Sequence, residues 1–379
     1  MAKRIYNSTP KQDGFRMPGE FEPHDHIFMI WPERTDNWRQ GAKPAQRAYA
    51  EVAKAIAKHT PVTMLVNNTQ FANARARLPE NIRVVELSSD DAWCRDCGPT
   101  FVVNDKTGEI RGVDWIFNAW GGLKDGLYFP WANDDIMAQK ICDLQGIDSY
   151  RTDADSCPAG LDFILEGGSI HVDGEGTLIT TEMCLLNPDS GRNYPDLTKE
   201  QIEMMLKEYL NLEKIIWIKD GIDPYETNGH IDDVACYIRP GEVACIWTED
   251  ENHPFYAAAQ AAYKTLSEAT DAKGRKLKVW KMCMTKEPCY LKDADSIDTA
   301  TGAIPREEGE ISIASYMNFL ITNNAIILPQ YGDENDALAV KQAQEMFPGY
   351  TIEPVMTTEV AYGGGNIHCI TQQQPSVRK

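Results

Sequence analysis

The sequence contains no long hydrophobic run. None of its 379 residues lies in a segment approaching the roughly 18 consecutive apolar residues that a membrane helix needs. The basic start at residues 1–4 is followed by the polar run 5–10, where a secretory signal would require an apolar stretch. We therefore expect a cytoplasmic protein that does not contact a membrane.

Positive charge is also scarce. The chain has 37 Lys and Arg residues against 57 Asp and Glu residues, which gives a net charge of −20. A surface of this charge is poorly suited to the phosphate backbone, so we expect no nucleic-acid partner. The same charge permits mild electrostatic attraction of small cations.

The motifs of common metal and nucleotide sites are missing as well. The sequence has no H-E-x-x-H helix and no G-x-G-x-x-G loop, and the glycine run 363–365 lacks the following lysine of a phosphate loop. Among the ten cysteines, Cys94 and Cys97 form the only C-x-x-C pair. This pair could be a redox pair, but it precedes a Gly-Pro turn and a β-run rather than capping a helix. We therefore expect no catalytic metal.

A faint internal repeat runs through the chain. Residues 167–172 and 364–369 share the order glycine, glycine, small polar residue, isoleucine, histidine. Asp96, Glu166 and Asp232 mark successive glycine turns and are separated by 70 and 66 residues. This even spacing predicts radial repetition of strand and helix units around a central site.

The sequence also predicts an α/β fold in one domain, because no linker or composition break divides residues 1–379. Four predicted helices are each followed by a predicted strand. These pairs are 42–58 with 61–66, 198–210 with 214–218, 255–272 with 277–280, and 335–346 with 350–354, and residues 318–328 are predicted to form a further hairpin.

One cysteine follows a glycine run near the end of the sequence. Gly364 and Gly365 would allow the backbone to approach a ligand closely, and Cys369 stands four residues further on. Cys369 is therefore a candidate nucleophile. The alternative is a buried free cysteine at a strand end, since such a residue usually behaves as a small hydrophobe.

His230 and Asp232 are candidates for acid–base chemistry. If this segment is a strand, the two side chains point to the same side and face one cavity. A surface pair or a hydrogen-bonded core pair is the alternative. Glu166, which precedes two glycines, could orient His230 and fix its protonation, or it could only cap a turn.

Residues 90–99 concentrate carboxylates, Trp93 and Arg95. Such a group suits a planar cationic ligand, because a carboxylate such as Asp96 accepts paired hydrogen bonds from a guanidinium and an indole face attracts positive charge. The alternative is an ion-pair network around Arg95 with Trp93 in the core.

Four ordered motifs resemble those of the agmatine deiminases, within the guanidine-modifying superfamily, and the resemblance covers essentially the whole chain. The motifs are Trp93-x-Arg95-Asp96-x-Gly98-Pro99, Glu166-Gly167-Gly168, Gly229-His230-x-Asp232 and Gly364-Gly365-Asn366-Ile367-His368-Cys369. The resemblance implies the pentein fold, an α/β propeller whose five blades repeat around a central active site.

The resemblance also implies residue roles. It makes Cys369 the nucleophile and His230 the general acid and base, with Asp96 and Asp232 binding the guanidinium and Glu166 orienting His230. Agmatine and water would give N-carbamoylputrescine and ammonia through a covalent amidino-cysteine, a reaction of polyamine metabolism. The resemblance further implies a homo-oligomer that needs no metal or organic cofactor.

The amine end of the substrate is less well specified. Trp93 and Glu226 suit a dicationic substrate there, and Gly364 and Gly365 would line the site. Cys94 and Cys97 depart from the plainest form of the family motif. A peptidylarginine deiminase, an amidinotransferase that passes the intermediate to an amine, and a non-catalytic binding protein remain alternatives; retention of the thiol disfavours the last.

Overall fold

The computed structural model describes residues 2–223 and 225–377, and its architecture is mixed α/β. Within these residues, five sheets of three or four strands follow one plan. In each sheet an outer strand pairs antiparallel with a middle strand, and the middle strand pairs in parallel with a third strand that follows it in the chain after a helix. In four sheets the outer strand precedes the middle strand in the chain, whereas in the last sheet the outer strand is Thr371–Pro375. The α/β class predicted from the sequence is confirmed.

We number the five sheets by the chain order of their first strands. The first contains Thr100–Asn104, Glu109–Asp114, Ser149–Arg151 and the edge strand Arg4–Ile5; the second His171–Val172, Thr177–Thr181 and Lys214–Ile218; the third Ala235–Arg239, Glu242–Trp247 and Lys278–Cys283; the fourth Leu320–Thr322, Ala325–Gln330 and Thr351–Met356; and the fifth Thr371–Pro375, His24–Ile30, Val62–Val66 and Arg83–Glu86. Cys289–Tyr290 and Ile311–Ser312 form a separate two-stranded ribbon.

A helix of at least nine residues lies between the second and third strands of each sheet. In sheet order these helices are Met137–Gln145, Lys199–Leu210, Tyr256–Glu268, Asp336–Met346 and Lys43–Ile56. Shorter α-helices are Phe71–Arg77, Cys94–Cys97, Gly122–Asp125, Ala132–Asp135, Glu182–Leu185 and Thr358–Ala361, and single 3₁₀ turns are Asn68–Gln70, Gly167–Ser169, Ile231–Asp233 and Ala294–Ser296. No helix within the described ranges is long and apolar enough to span a membrane.

The sequence predicted four of the five connecting helices. The predicted start of the second is confirmed, because the Thr198 side chain accepts a hydrogen bond from the Gln201 backbone N–H and Gln201 bonds back to the Thr198 N–H. The helix predicted to reach residue 272 ends at Glu268, since the chain then turns around Asp271 towards the next strand. Met137–Gln145 was not predicted.

The connecting helices cover their sheets with apolar faces. In Lys43–Ile56, for example, Tyr49, Val52 and Ile56 are fully buried, and every residue of the neighbouring strand Val62–Val66 is buried too. Burying one large apolar side chain contributes about 1.5–3 kcal/mol to stability. This packing holds each sheet firmly and leaves the turns before the first strands to build the centre.

Candidate active site

Five turns, each leading into the first strand of one sheet, are linked to one another by hydrogen bonds. The Gly168 N–H, before the second sheet, donates to Oδ1 of Asp96, before the first, at 2.9 Å. Nε2 of His230, before the third sheet, lies 3.4 Å from Oε2 of Glu166. The first three turns are thereby joined.

The fourth and fifth turns complete the circuit. Nδ2 of Asn318, before the fourth sheet, donates to Oδ1 of Asp233 at 3.1 Å and lies 3.2 Å from Sγ of Cys369. The Arg95 N–H in the first turn donates to the carbonyl oxygen of Cys369 at 3.1 Å. The five turns therefore form a closed series of hydrogen-bonded neighbours.

All the side chains predicted to be catalytic lie in these turns and are buried. Glu166 and His230 are inaccessible to solvent, and Asp232, Asp96 and Cys369 are only 2%, 3% and 4% exposed. Side chains that are 273 residues apart in sequence are thus brought into one site. Burial of so many ionisable groups is costly unless they interact with one another.

One predicted local structure is wrong. His230 and Asp232 do not lie on a strand; Ile231–Asp233 is a single 3₁₀ turn that follows His230. Asn228 at φ 58° and Gly229 at φ 81° take left-handed conformations just before it, which directs the chain into this turn rather than into extended structure. The two side chains nevertheless face the same place.

That place is marked by Gly168. A Cβ atom built on this glycine would lie 2.5 Å from Nδ1 of His230, 2.9 Å from Oδ1 of Asp96 and 3.0 Å from Oδ2 of Asp232. The imidazole and the two carboxylates therefore converge on the Gly168 backbone. The absence of a side chain at this position is what allows all three groups to approach.

Asp96 is held by two donors. Its Oδ1 accepts from the Gly168 N–H and its Oδ2 accepts from Nε1 of Trp120, each at 2.9 Å. Burial raises the pKa of Asp96 to about 6, with the charge of Asp232 adding to the rise and that of His230 opposing it. A bound cation would favour the ionised form of this carboxyl group.

Glu166 is neutralised by a residue that sequence reasoning missed. Nε of Arg192 lies 2.9 Å from both oxygens of Glu166, and neither side chain is exposed to solvent. Burial would raise the pKa of Glu166, but Arg192 and His230 hold it below its usual value. Arg192 stands in a loop with no motif around it, so the sequence carried no signal for this role.

One ring nitrogen of His230 is hydrogen-bonded, and the other has no hydrogen-bond partner among the described residues. Nε2 faces Glu166, whereas Nδ1 is buried without a hydrogen-bond partner among the described residues and has Oδ1 of Asp96 3.9 Å away. Burial alone would lower the pKa of His230, but Asp96, Cys184 and Glu166 raise it well above its usual value. The geometry therefore suits an imidazolium whose Nδ1 proton is available to a ligand.

Asp232 also has one oxygen committed and one free. Oδ2 lies 2.8 Å from Nδ1 of His368 and 3.6 Å from Sγ of Cys369. Oδ1 is buried and, within the described part of the chain, accepts no hydrogen bond. A buried acceptor of this kind is available to a donor such as the N–H of a guanidinium.

Cys369 is surrounded by anions. Burial and the charges of Asp232, Asp233 and Asp96 raise the pKa of its thiol well above the usual value. Its sulfur is 3.2 Å from Nδ2 of Asn318, a side chain that also accepts hydrogen bonds from the N–H groups of residues 368 and 369. Asn318 begins the hairpin predicted from the sequence, which was the signal that it occupies the equivalent turn.

The glycine run before Cys369 allows close packing of neighbouring side chains. Gly364 has φ 107°, a conformation that L side chains rarely adopt, and a Cβ on it would meet Oε2 of Glu226. A Cβ on Gly365 would lie 2.6 Å from the Trp93 ring and 3.0 Å from Sγ of Cys369. Both glycines therefore border the site.

A cavity of about 490 Å³ lies outside the buried turns. Its lining includes Trp93, whose ring borders the cysteine loop, and Trp120, which binds Asp96. Five carboxylates line the cavity, namely Asp36, Asp91, Asp223, Glu226 and Glu310. Two guanidinium groups, those of Arg34 and Arg306, oppose them, so the lining has an excess of negative charge.

Both cations of the cavity are already paired. Arg34 donates to Asp36 at 2.6 and 3.0 Å, and Arg306 binds both oxygens of Glu226 at 2.8 and 2.9 Å. Glu226 therefore lines the cavity, and its negative charge is paired with the guanidinium of Arg306. Trp93 is held in place by a hydrogen bond from its Nε1 to Asp91 at 3.0 Å.

The C-x-x-C segment lies directly before the first strand of the first sheet. Cys94–Cys97 is itself a one-turn α-helix. Burial raises the pKa of both thiols, to well above the usual value for Cys97. Both are free cysteines, and such protonated, buried thiols are poor nucleophiles.

Two buried groups of side chains place potential ligand atoms close enough to share a metal ion. They are Glu20 with His171 and His368, and Glu166 with Cys184 and His230, the ligand atoms in each group lying within 4.8 Å of one another. In the second group, Arg192 already neutralises Glu166. In the first, each ring nitrogen of His368 already faces a carboxylate.

Substitution of Gly168 should test the convergence of the three groups. We expect Gly168→Ala to lower kcat/KM about 100-fold, because the new methyl would displace the His230 ring and, by less, the two carboxylates. Turnover assays and thermal melting would measure activity and folding separately. Gly274→Ala is the control: its φ of 80° makes alanine strained, yet nothing lies within 4 Å, so stability should fall while kcat/KM stays unchanged. Unaltered activity in Gly168→Ala would contradict the geometry.

Comparison with known proteins gives a consistent result. Residues 16–375 match the model of the Porphyromonas-type peptidyl-arginine deiminase family. The chain is 66% identical over 380 residues to a Streptococcus mutans protein named "Putative agmatine deiminase", covering 99% of this chain and 100% of that protein.

Solved structures agree with the sequence comparison. The structure of an agmatine deiminase of Enterococcus faecalis matches with a TM-score of 0.95 and 62% identity over 100% of both chains. A variant of C. jejuni agmatine deiminase with substrate bound matches with a TM-score of 0.79 and 26% identity over 96% of this chain and 97% of that one. The resemblance noted in the sequence is confirmed.

Proposed function

This chain belongs to the Porphyromonas-type peptidyl-arginine deiminase family, and we propose that within this family it is an agmatine deiminase. It is an enzyme, as its high identity to agmatine deiminases indicates. The observation that carries the substrate proposal is the distribution of charge. Two buried carboxylates, Asp96 and Asp232, lie beside the thiol of Cys369. The neighbouring cavity has five further carboxylates and no unpaired cation in its described lining. Agmatine carries a positive charge at each end.

The guanidinium would bind between Asp96 and Asp232. The free oxygen of Asp232 can accept one of its N–H groups, and Asp96, whose Oδ1 also borders the Cβ position of Gly168, can accept another. Charge-assisted hydrogen bonds of this type are about twice as strong as neutral ones. They would present the central carbon to the sulfur of Cys369, which is 3.6 Å from Asp232.

Substrate binding would also activate the nucleophile. The carboxylates around Cys369 hold its pKa high, so the thiol is protonated while the site is empty. A guanidinium placed between Asp96 and Asp232 offsets their charge and thereby lowers the pKa of the thiol, which releases its proton to solvent and becomes the thiolate. Nδ2 of Asn318 can then donate a hydrogen bond to the sulfur anion.

The reaction would proceed in two halves. The thiolate attacks the guanidinium carbon, a C–S bond forms, and the imidazolium of His230 donates its Nδ1 proton to the departing nitrogen, which leaves as ammonia. Neutral His230 then removes a proton from water, whose oxygen attacks the S-linked amidino carbon. The C–S bond breaks and the thiolate is released. The oxygen that came from water then loses its second proton to solvent, which leaves the neutral urea product, N-carbamoylputrescine. Glu166 keeps Nε2 of His230 bound throughout, so that Nδ1 serves both steps.

The amine end of the substrate would extend into the outer cavity. Trp93 and Glu226 line this cavity beside Gly364 and Gly365, so they are proposed to contact the aliphatic chain and the terminal amine. An α-carboxylate, as in arginine, would find both nearby guanidinium groups engaged with acids. We therefore propose agmatine rather than arginine.

We further propose that the five sheets form one propeller. The support is their common strand order and the circuit of hydrogen bonds through the five turns. In this arrangement residues 1–379 make a single domain, and each blade contributes one polar turn to the site.

Ammonia release tests the function. With a chelator present, purified protein should release ammonia from agmatine with a kcat/KM at least about 100-fold higher than for arginine, because the carboxylate of arginine would be buried unpaired. Intact-mass measurement of rapidly quenched samples should show an adduct on Cys369. Transfer of the amidino group to an added amine would instead indicate an amidinotransferase, and activity only on arginine within peptides a peptidylarginine deiminase. Either result would overturn the proposal.

A further inference from the structure

A second buried histidine adjoins the proposed nucleophile but differs from His230 in its surroundings. His368 is 3% exposed. Its Nδ1 lies 2.8 Å from Oδ2 of Asp232, and its Nε2 lies 2.7 Å from Oε2 of Glu20. Both distances are those of strong hydrogen bonds to charged groups.

Two carboxylates can bind the two nitrogens of one imidazole only if both nitrogens donate. A carboxylate is an acceptor, and a neutral imidazole has a single N–H. His368 is therefore an imidazolium flanked by two anions. The charges of Glu20 and Asp232 raise its pKa, although burial and Arg95 act in the opposite direction.

The far side of His368 is also fixed. Glu20 is 5% exposed, and its Oε1 accepts the backbone N–H of Ile321 in the fourth sheet at 2.8 Å. Nε2 of His171 lies 3.6 Å from Oε2 of Glu20, and its Nδ1 accepts the N–H of Tyr237 at 3.2 Å. Glu20 is thus tied to the sheets behind the site rather than to the site itself.

Arg95 completes the surroundings of His368. Its Nε donates to the carbonyl oxygen of His368 at 3.2 Å, and it is 3% exposed. The charged groups facing His368 are therefore two anions, Glu20 and Asp232, and one cation, Arg95, with His171 beside Glu20. Both ring nitrogens of His368 are hydrogen-bonded to carboxylates, so neither is free to exchange a proton with a ligand.

We propose that His368 is a positioning residue: its ring, braced by Glu20 on one side, fixes Oδ2 of Asp232 on the other, so that Oδ1 faces the substrate guanidinium. The inference rests on the proposed function, since it assigns the guanidinium to Asp232. It also assigns different roles to the two histidines, because Nδ1 of His230 has no hydrogen-bond partner among the described residues, whereas both ring nitrogens of His368 are hydrogen-bonded. His368 acts on the substrate only through Asp232.

Two substitutions at this position make a matched pair. The amide nitrogen of asparagine can occupy the place of Nδ1, so His368→Asn retains a hydrogen-bond donor to Asp232 but loses the hydrogen bond to Glu20. The amide of glutamine reaches the place of Nε2, so His368→Gln retains contact with Glu20 but releases Asp232. We expect His368→Gln to raise KM for agmatine at least about tenfold, as loss of a hydrogen bond to a charged group would, and to lower kcat by a smaller factor. His368→Asn should recover most of the lost affinity.

The control is His253→Gln, the same change at a buried histidine in the loop before Tyr256–Glu268, which should leave KM within about twofold of the wild type. Glu20→Gln provides a second variant if His368→Gln fails to fold. Because it leaves the hydrogen bond from His368 to Asp232 in place, it should raise KM by a smaller factor than His368→Gln. Equal KM values for His368→Asn and His368→Gln, or a normal KM in both His368→Gln and Glu20→Gln, would overturn the proposal.

A spectroscopic measurement separates this proposal from the proposed function. In protein labelled with ¹⁵N-histidine, His368 should give two downfield N–H signals, both absent from His368→Gln and present in His253→Gln. If the wild type turns over agmatine but these signals and the KM effect are missing, only the positioning role fails. If the wild type releases no ammonia from agmatine, the proposed function is wrong. In that case the two N–H signals alone decide whether His368 is an imidazolium bound to both carboxylates.

Discussion

Cys369→Ala should abolish turnover of agmatine, lowering kcat by at least about 10⁴-fold, while agmatine still binds. Within the described turns, Cys369 supplies the sulfur 3.6 Å from Asp232. The thiol of Cys184 instead lies beside Glu166 and His230. The substitution leaves Asp96 and Asp232, the carboxylates proposed to bind the guanidinium, in place. Calorimetric titration of the variant with agmatine should therefore give a measurable affinity in the absence of product formation.

Cys245→Ala is the matched control for this experiment. Cys245 is equally buried, but it lies within the third sheet and only burial raises the pKa of its thiol. Its removal should cost about 1 kcal/mol of stability and leave kcat unchanged. Residual activity of Cys369→Ala close to that of Cys245→Ala would refute the nucleophile assignment.

His230→Gln should impair both halves of the reaction, with a fall in kcat of about 10²–10⁴-fold. The glutamine amide can still meet Glu166, but it can neither protonate the departing nitrogen nor accept a proton from water. In a single turnover with agmatine, the adduct on Cys369 should form slowly and, once formed, decay slowly.

Rapid quenching followed by intact-mass analysis resolves the two steps. His253→Gln serves again as the control, since it makes the same change outside the central turns. Normal formation and normal decay of the adduct in His230→Gln would show that another group moves these protons. A defect in decay alone would restrict His230 to the activation of water.

Much of this architecture could be predicted because the internal repeat is visible in the sequence as recurring glycine turns and helix and strand patterns. The α/β class, four helix and strand pairs, and the turns carrying Asp96, Glu166 and Cys369 could be read from periodicity and from glycines at fixed places. These signals are local, since they reflect which backbone conformation each short segment prefers. Where such a preference was ambiguous, as at residues 228–232, the prediction of a strand was wrong.

The partners of the candidate residues could not be predicted in the same way. Arg192 pairs with Glu166, Glu20 pairs with His368 across 348 positions, and Arg306 neutralises Glu226. None of these contacts has a local pattern, because each depends on how separate sheets are arranged. Asn318 is intermediate: its hairpin was predicted, but its contact with the sulfur of Cys369 was visible only in three dimensions.

The fifth sheet has a consequence for how activity arises during folding. Its first strand, Thr371–Pro375, pairs with His24–Ile30, so the segment that brings Cys369 into the site also joins the two ends of the chain. A chain that has folded its first four sheets but not this pairing has carboxylates and an imidazole without a nucleophile. Catalytic competence should therefore appear in a single step, as the last strand docks, rather than grow gradually with folding. Kinetically, recovery of activity after dilution from denaturant would report on the joining of the chain ends.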